Sequence, residues 1–75
     1  MNHEFEKKVG RNIRRLRELA GLTQEQLSVK FQLAGCDITR SALAKIEVGQ
    51  RHLYPDEIKL LKNFLQTTNE EIFEE

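Results

Sequence analysis

The stretch "ITRSALAKIEVGQR", residues 38 to 51, gathers Arg40, Ser41, Ala44 and Lys45 on one side of a helix. Leu43 and Ile46 fall on the other side, so two apolar anchors support a face that is small or hydrogen-bonding. Arg40 carries a planar fork able to bond guanine O6 and N7 together, and Lys45 donates to the same acceptors. Ala44 is small enough to let the helix lie close to a base edge or a thymine methyl. Arg51 and His52, in the loop that follows, suit phosphates. Gln24 adds a side-chain donor at the start of an earlier helix, where free terminal amides already attract an anion. This chemistry points to a polyanionic partner.

Other chemistries find little support. Glu70, Glu71, Glu74 and Glu75 have no His, aromatic pocket or glycine loop beside them to make a catalytic set. His3 and His52 are far apart, and with one cysteine no metal-ligand spacing exists. Ser28 and Ser41 lack a base motif, and Ser28 sits where a small packing residue is expected. We therefore expect no enzyme, no metal and no cofactor. Cys36 is expected to be a small buried apolar group, and a lone cysteine excludes an internal disulfide.

Five helical segments must position these residues. Phe5, Val9, Ile13, Leu16 and Ala20 recur at intervals of three and four, and Gly21 ends that helix as a left-handed cap. Thr23 opens a second helix with Gln26 three residues on, a capping box, and Leu22 and Leu27 form a hydrophobic staple. This helix buries Leu27 and Phe31 and ends near Gly35. Thr39 caps the third helix, with Ile38 and Leu43 as its staple and Gly49 as its stop. Pro55 starts a fourth helix whose inner face is Ile58, Leu61, Phe64 and Leu65, with Asp56 and Glu57 favourable to its dipole. Thr68 and Glu71 make a further capping box ahead of Ile72 and Phe73.

Seventy-five residues allow one domain, expected to span residues 1–75. No apolar run approaches the roughly 18 to 20 residues that cross a bilayer. The start "MNHEFEKKVG" is too charged for a secretory signal, and a reducing cytoplasm suits the single cysteine. Net charge is zero, yet unevenly placed. Residues 1 to 55 hold ten Lys and Arg against six Asp and Glu, a net +4, while residues 56 to 75 hold two against six, a net −4. A contacting face responds to the local field rather than to the total. The acidic end is expected to point away from a polyanion or to pack elsewhere.

"GLTQEQL", then "SALAKIEVGQR", then a Pro-started helix and "NEEIF" make the chain resemble the Cro and phage-repressor (Xre-type) helix-turn-helix family over about residues 5 to 73. The resemblance implies an all-α, five-helix domain that binds double-stranded operator DNA as a homodimer. Carried over by position, it puts Thr39, Arg40, Ser41, Ala44 and Lys45 on the base-reading face and Gln24 beside a phosphate. It also implies a structural ion pair between Arg17 and Glu47. The 24 positions from Thr23 to Glu47 exceed the family spacing, with the extra residues in "FQLAGCD". We therefore expect a longer second helix and an extended connection between helices 2 and 3. The function so implied is that of a cytoplasmic, bacterial or phage-encoded transcriptional regulator, a repressor by family habit. The alternative is a helical protein-interaction or dimerisation module that does not bind DNA. Leu65, Ile72 and Phe73, more apolar than so short a pair of helices needs, are expected to supply part of a dimer contact.

Overall fold

A computed structural model describes residues 3–74; Met1, Asn2 and Glu75, the last counted above with the acidic end, lie outside them. Five helices follow one another: α1 His3–Leu19, α2 Gln24–Leu33, α3 Arg40–Glu47, α4 Pro55–Leu65 and α5 Asn69–Phe73. No strand occurs among the described residues. No helix there is long and apolar enough to cross a membrane.

Local chemistry sets the ends. Thr23 Oγ1 accepts the Gln26 amide at 3.0 Å while Gln26 Oε1 accepts the Thr23 amide at 2.9 Å, so both halves of the expected box form. Thr39 Oγ1 accepts from Ala42 N. Gly21 and Gly49 take the left-handed conformation expected of them, at φ 75 and 79. The Thr68 box forms by half: its hydroxyl accepts the Glu71 amide, but the Glu71 carboxylate accepts instead from the Thr67 hydroxyl. α4 ends on Gln66 at φ 51, a non-glycine in the left-handed region that no sequence signal announced.

One core joins the helices. Ile13, Leu27, Phe31, Ile38, Leu43, Leu61 and Ile72 are fully enclosed, with Val9, Leu16, Ile46 and Leu65 close behind. Two members of the expected α1 stripe depart from it. α1 stops at Leu19, so Ala20 falls in the turn and is exposed, and Phe5 is 43% exposed while stacking on Phe73. Leu65 and Ile72 are buried in the chain's own core. Of the three residues expected at a dimer contact, Leu65 and Ile72 are thus taken up by that core, and Phe73, half-buried beside Phe5, keeps part of its surface.

α1 is the axis of the molecule, with a different neighbour on each flank. Positions 7, 10, 14 and 17 share one side by helical spacing. Gly10 lies so close to α3 that an added Cβ would sit 2.5 Å from Glu47 O and 2.6 Å from Ile46 O, and a Cβ on Gly49 would meet Lys7 at 2.9 Å. Positions 5, 12 and 15 share another side and meet α5. There the buried Asn12 donates to the carbonyls of Ile72 at 2.9 Å and Glu74 at 3.0 Å, capping α5 across the fold. Arg15 shares a groove with Glu70, Glu71 and Glu74. The acidic end thus packs against the flank of α1 that faces away from α3.

Candidate nucleic-acid interface

The connection between α2 and α3 decides how α3 is held. It runs from Ala34 to Thr39, after a ten-residue α2. Its width does not leave it loose. Gly35 reverses the chain at φ 80, Cys36 N returns to Phe31 O at 2.9 Å, and Gln32 Nε2 reaches forward to Ile38 O at 2.9 Å. Ile38 then enters the core as an anchor at the foot of α3. Cys36 is half-buried, and burial, with the negative charges of Glu57 and Asp56, pushes its thiol up. It packs against the core as a thiol, though less enclosed than the buried group expected of it.

α3 carries its side chains as helical spacing requires. Leu43 and Ile46 are buried; Thr39, Arg40, Ser41 and Lys45 are exposed, and Ala44 is half-buried between them. The outward face thus offers a guanidinium, an ammonium and two hydroxyls around a low point at Ala44. Of these, Thr39 Oγ1 is already occupied with capping.

Behind this face lies a buried ion pair. Arg17 Nε and Glu47 Oε2 are 2.7 Å apart, and Arg17 Nη2 donates to Glu47 Oε1 at 3.1 Å; their side chains are 9% and 2% exposed. The hydrogen bond to Glu47, opposed by burial, raises the Arg17 pKa further above its ordinary value. Arg17 Nη1 also donates to Leu22 O, which fixes the turn before α2. Gln24 Nε2 donates to the same Glu47 Oε1 at 3.0 Å. One carboxylate therefore ties the ends of α1 and α3 to the first residue of α2. Gln24 lines a cleft together with Arg14, Arg40 and the turn from Gly21 to Thr23, and its amide carries one N–H beyond the bond to Glu47. The first turn of α2 leaves the amides of Gln24 and Glu25 outside the helix's own ladder. The resemblance puts Gln24 beside a phosphate, and its bond to Glu47, 23 positions away, carries no signal in the sequence.

Arg51 and His52 are less free than their place in a loop implied. Arg51 grips Glu57 with both terminal nitrogens, at 2.9 and 3.0 Å, donates to His52 O and lies 5.7 Å over the Tyr54 ring. His52 Nδ1 is 3.2 Å from Glu6 Oε1, an ion pair when the imidazole is protonated. Their first task is to hold the loop between α3 and α4 against its neighbours. Glu57, read from the sequence as a helix-dipole residue, is the centre of that loop: it is buried and also accepts the Tyr54 amide at 3.0 Å.

This arrangement has a pH signature. Burial opposes ionisation of Glu57, but the hydrogen bonds from Arg51 and the Tyr54 amide outweigh it and hold the carboxyl below its ordinary value. A carboxyl depressed in the folded state stabilises the fold above its unfolded pKa of about 4.3, and that contribution is lost as pH falls through the lower folded value. Thermal melts between pH 7 and pH 3 should show stability declining through this acid range. The decline should be smaller in Glu57→Gln, which starts less stable at pH 7. An identical acid profile in the two proteins would remove Glu57 from the account.

An all-helical fold, a capped pair of helices bridging α1 and an outward hydrogen-bonding helix define a helix-turn-helix protein. A family model described as Helix-turn-helix matches residues 13–72, and the chain belongs to the Cro and phage-repressor (Xre-type) helix-turn-helix family, whose members are DNA-binding transcription regulators. Its fold is similar to that in "Crystal structure of the DNA-binding domain of BldD", with a TM-score of 0.80, 19% identity, and coverage of 97% of this chain and 99% of that one. Among curated proteins no significant sequence match is found.

Proposed function

We propose that this chain, as one domain, is a sequence-specific double-stranded DNA-binding transcriptional regulator that lays α3 in the major groove. The observation that carries the proposal is the exposed face of α3, with Arg40, Ser41 and Lys45 outward over the buried Leu43 and Ile46. That face adjoins the N-terminus of α2 through the cleft shared by Arg40 and Gln24. Family membership supports it, as does a similar fold described as a DNA-binding domain. Thr39, Arg40, Ser41, Ala44 and Lys45 read bases in this proposal, and Gln24 holds the backbone. Arg51 and His52 reach phosphates only as far as their bonds to Glu57 and Glu6 allow. Repression, a cytoplasmic location and pairing on two half-sites about one helical turn apart follow from the family pattern.

Selection of bound duplexes from a random pool tests the reading. An enriched inverted repeat supports both readout and dimer, an enriched asymmetric site supports readout by a monomer, and no enrichment leaves the protein-interaction module in its place. On the selected site, Arg40→Ala should lose about 1 to 3 kcal/mol and much less on a mismatched duplex. If Lys45→Ala relaxes the site instead, while Arg40→Ala weakens every duplex equally, the roles of the two cations are exchanged.

A further inference from the structure

We infer that Arg14 is a backbone-phosphate contact of the DNA-binding face. This rests on the DNA-binding reading and adds to it a residue that sequence alone left among the solvated cations of α1. Lys7, Lys8, Arg11, Arg14 and Arg15 all look alike as the polar side of an amphipathic helix. Packing separates them. Arg14 shares the flank of Gly10 and Arg17, which face α3, whereas Arg15 shares the flank that holds α5.

The cleft at the α1–α2 corner brings Arg14 to the same opening as Gln24 and Arg40. Three arginines line it, and their states differ. Arg17 is neutralised by Glu47, while Arg40 on α3 is exposed. Among the described residues Arg14 pairs only with Glu18, at 3.5 Å, with 64% and 57% of the two side chains exposed. So loose a pair contributes little to stability and exchanges readily for a better anion. Glu18 and Glu25 also line the cleft and oppose an anion there. A phosphate is nevertheless favoured because Arg14, the Gln24 side-chain amide and the unladdered amides of α2 can meet it together, while Arg40 at the same opening adds its field and turns to the bases. Arg14 would then leave Glu18 for the phosphate. The α2 terminus and the reading helix would thereby be joined to α1 along one strand of backbone.

The test is equilibrium binding to the selected duplex and to a mismatched duplex across a salt series, for wild type, R14A, R14K, R15A and E18Q. Arg14→Ala should weaken both duplexes by the same factor, about fivefold near 0.15 M salt, and make the salt slope shallower by about 0.9. Arg14→Lys should restore most of the slope. Arg15→Ala should leave the slope unchanged, and Glu18→Gln should tighten both duplexes by releasing Arg14. The assignment is overturned if R14A and R15A behave alike, or if R14A affects the selected duplex alone, which would make Arg14 a base reader. Wild-type protein that binds neither duplex overturns the underlying DNA-binding reading instead, before any variant is compared. Melting curves of the same variants check that each remains folded.

Discussion

Gly10→Ala is expected to lower stability by about 3 kcal/mol, at the top of the usual range for overpacking a well-packed site. Most buried substitutions push against side chains that can turn aside. Here the added methyl would meet the backbone carbonyls of Ile46 and Glu47, at 2.6 and 2.5 Å, so α1 and α3 must separate for it to fit. In a domain of this size the loss corresponds to a fall in melting temperature of more than about 10 °C. Gly21 makes the contrast. Its φ of 75 disfavours a side chain, but nothing stands within 4 Å of a Cβ there. Gly21→Ala should therefore cost only about 1 to 2 kcal/mol, from backbone conformation alone. Circular-dichroism melts of the two variants should rank clearly. Equal midpoints would mean that α1 and α3 are not held at so short a distance.

Breaking the Arg17–Glu47 pair should have a similar or larger effect. Either single alanine variant leaves one charge in a nearly closed site, at an expected cost of about 3 to 5 kcal/mol. Removing both should cost less than the two single losses added together, with a coupling of at least about 1 kcal/mol. Chemical denaturation of the four proteins supplies the cycle. Glu47→Ala also frees Gln24, so its effect should exceed a simple ion-pair loss and extend to DNA affinity, whereas additivity would place the charges apart in solution. The short double contact, at 2.7 and 3.1 Å, and the third bond from Gln24 are the physical basis for strong coupling.

The elements themselves were largely legible in the sequence because their signals are local. Thr23 with Gln26, Thr39 with Ala42, Pro55 at a helix start and Gly49 at a helix end all act within a turn of the residues they organise. The outward face of α3 was legible for the same reason, since helical spacing alone sets it. What escaped was partnership across the fold. Asn12 and Ile72 are 60 positions apart, and no periodicity connects them. Arg51 looked like a free loop cation because the spacing to Glu57 spans a loop and a helix start, where no regular geometry joins two positions. The close approach at Gly10 was invisible for a different reason: in an amphipathic stripe a glycine reads as a gap, although here it is where α1 and the end of α3 come together. Arg17 and Glu47 could be paired beforehand only through the family resemblance.

Asn12 has one more consequence, electrical rather than mechanical. By fastening the carbonyls of Ile72 and Glu74 to α1, it fixes the acidic end on the flank opposite α3. A chain whose charges sum to zero, with a net +4 over residues 1–55 and −4 over residues 56–75, is thereby expected to act as an electric dipole with its positive pole toward α3. A uniform field exerts no net force on such an object, only a torque. In the proposed encounter, DNA would rotate this protein before drawing it in, so that the reading face arrives first. The rotation acts only within a screening length, about 8 Å at physiological salt. Added salt would accordingly slow productive encounters by randomising orientation, even with every contact residue intact.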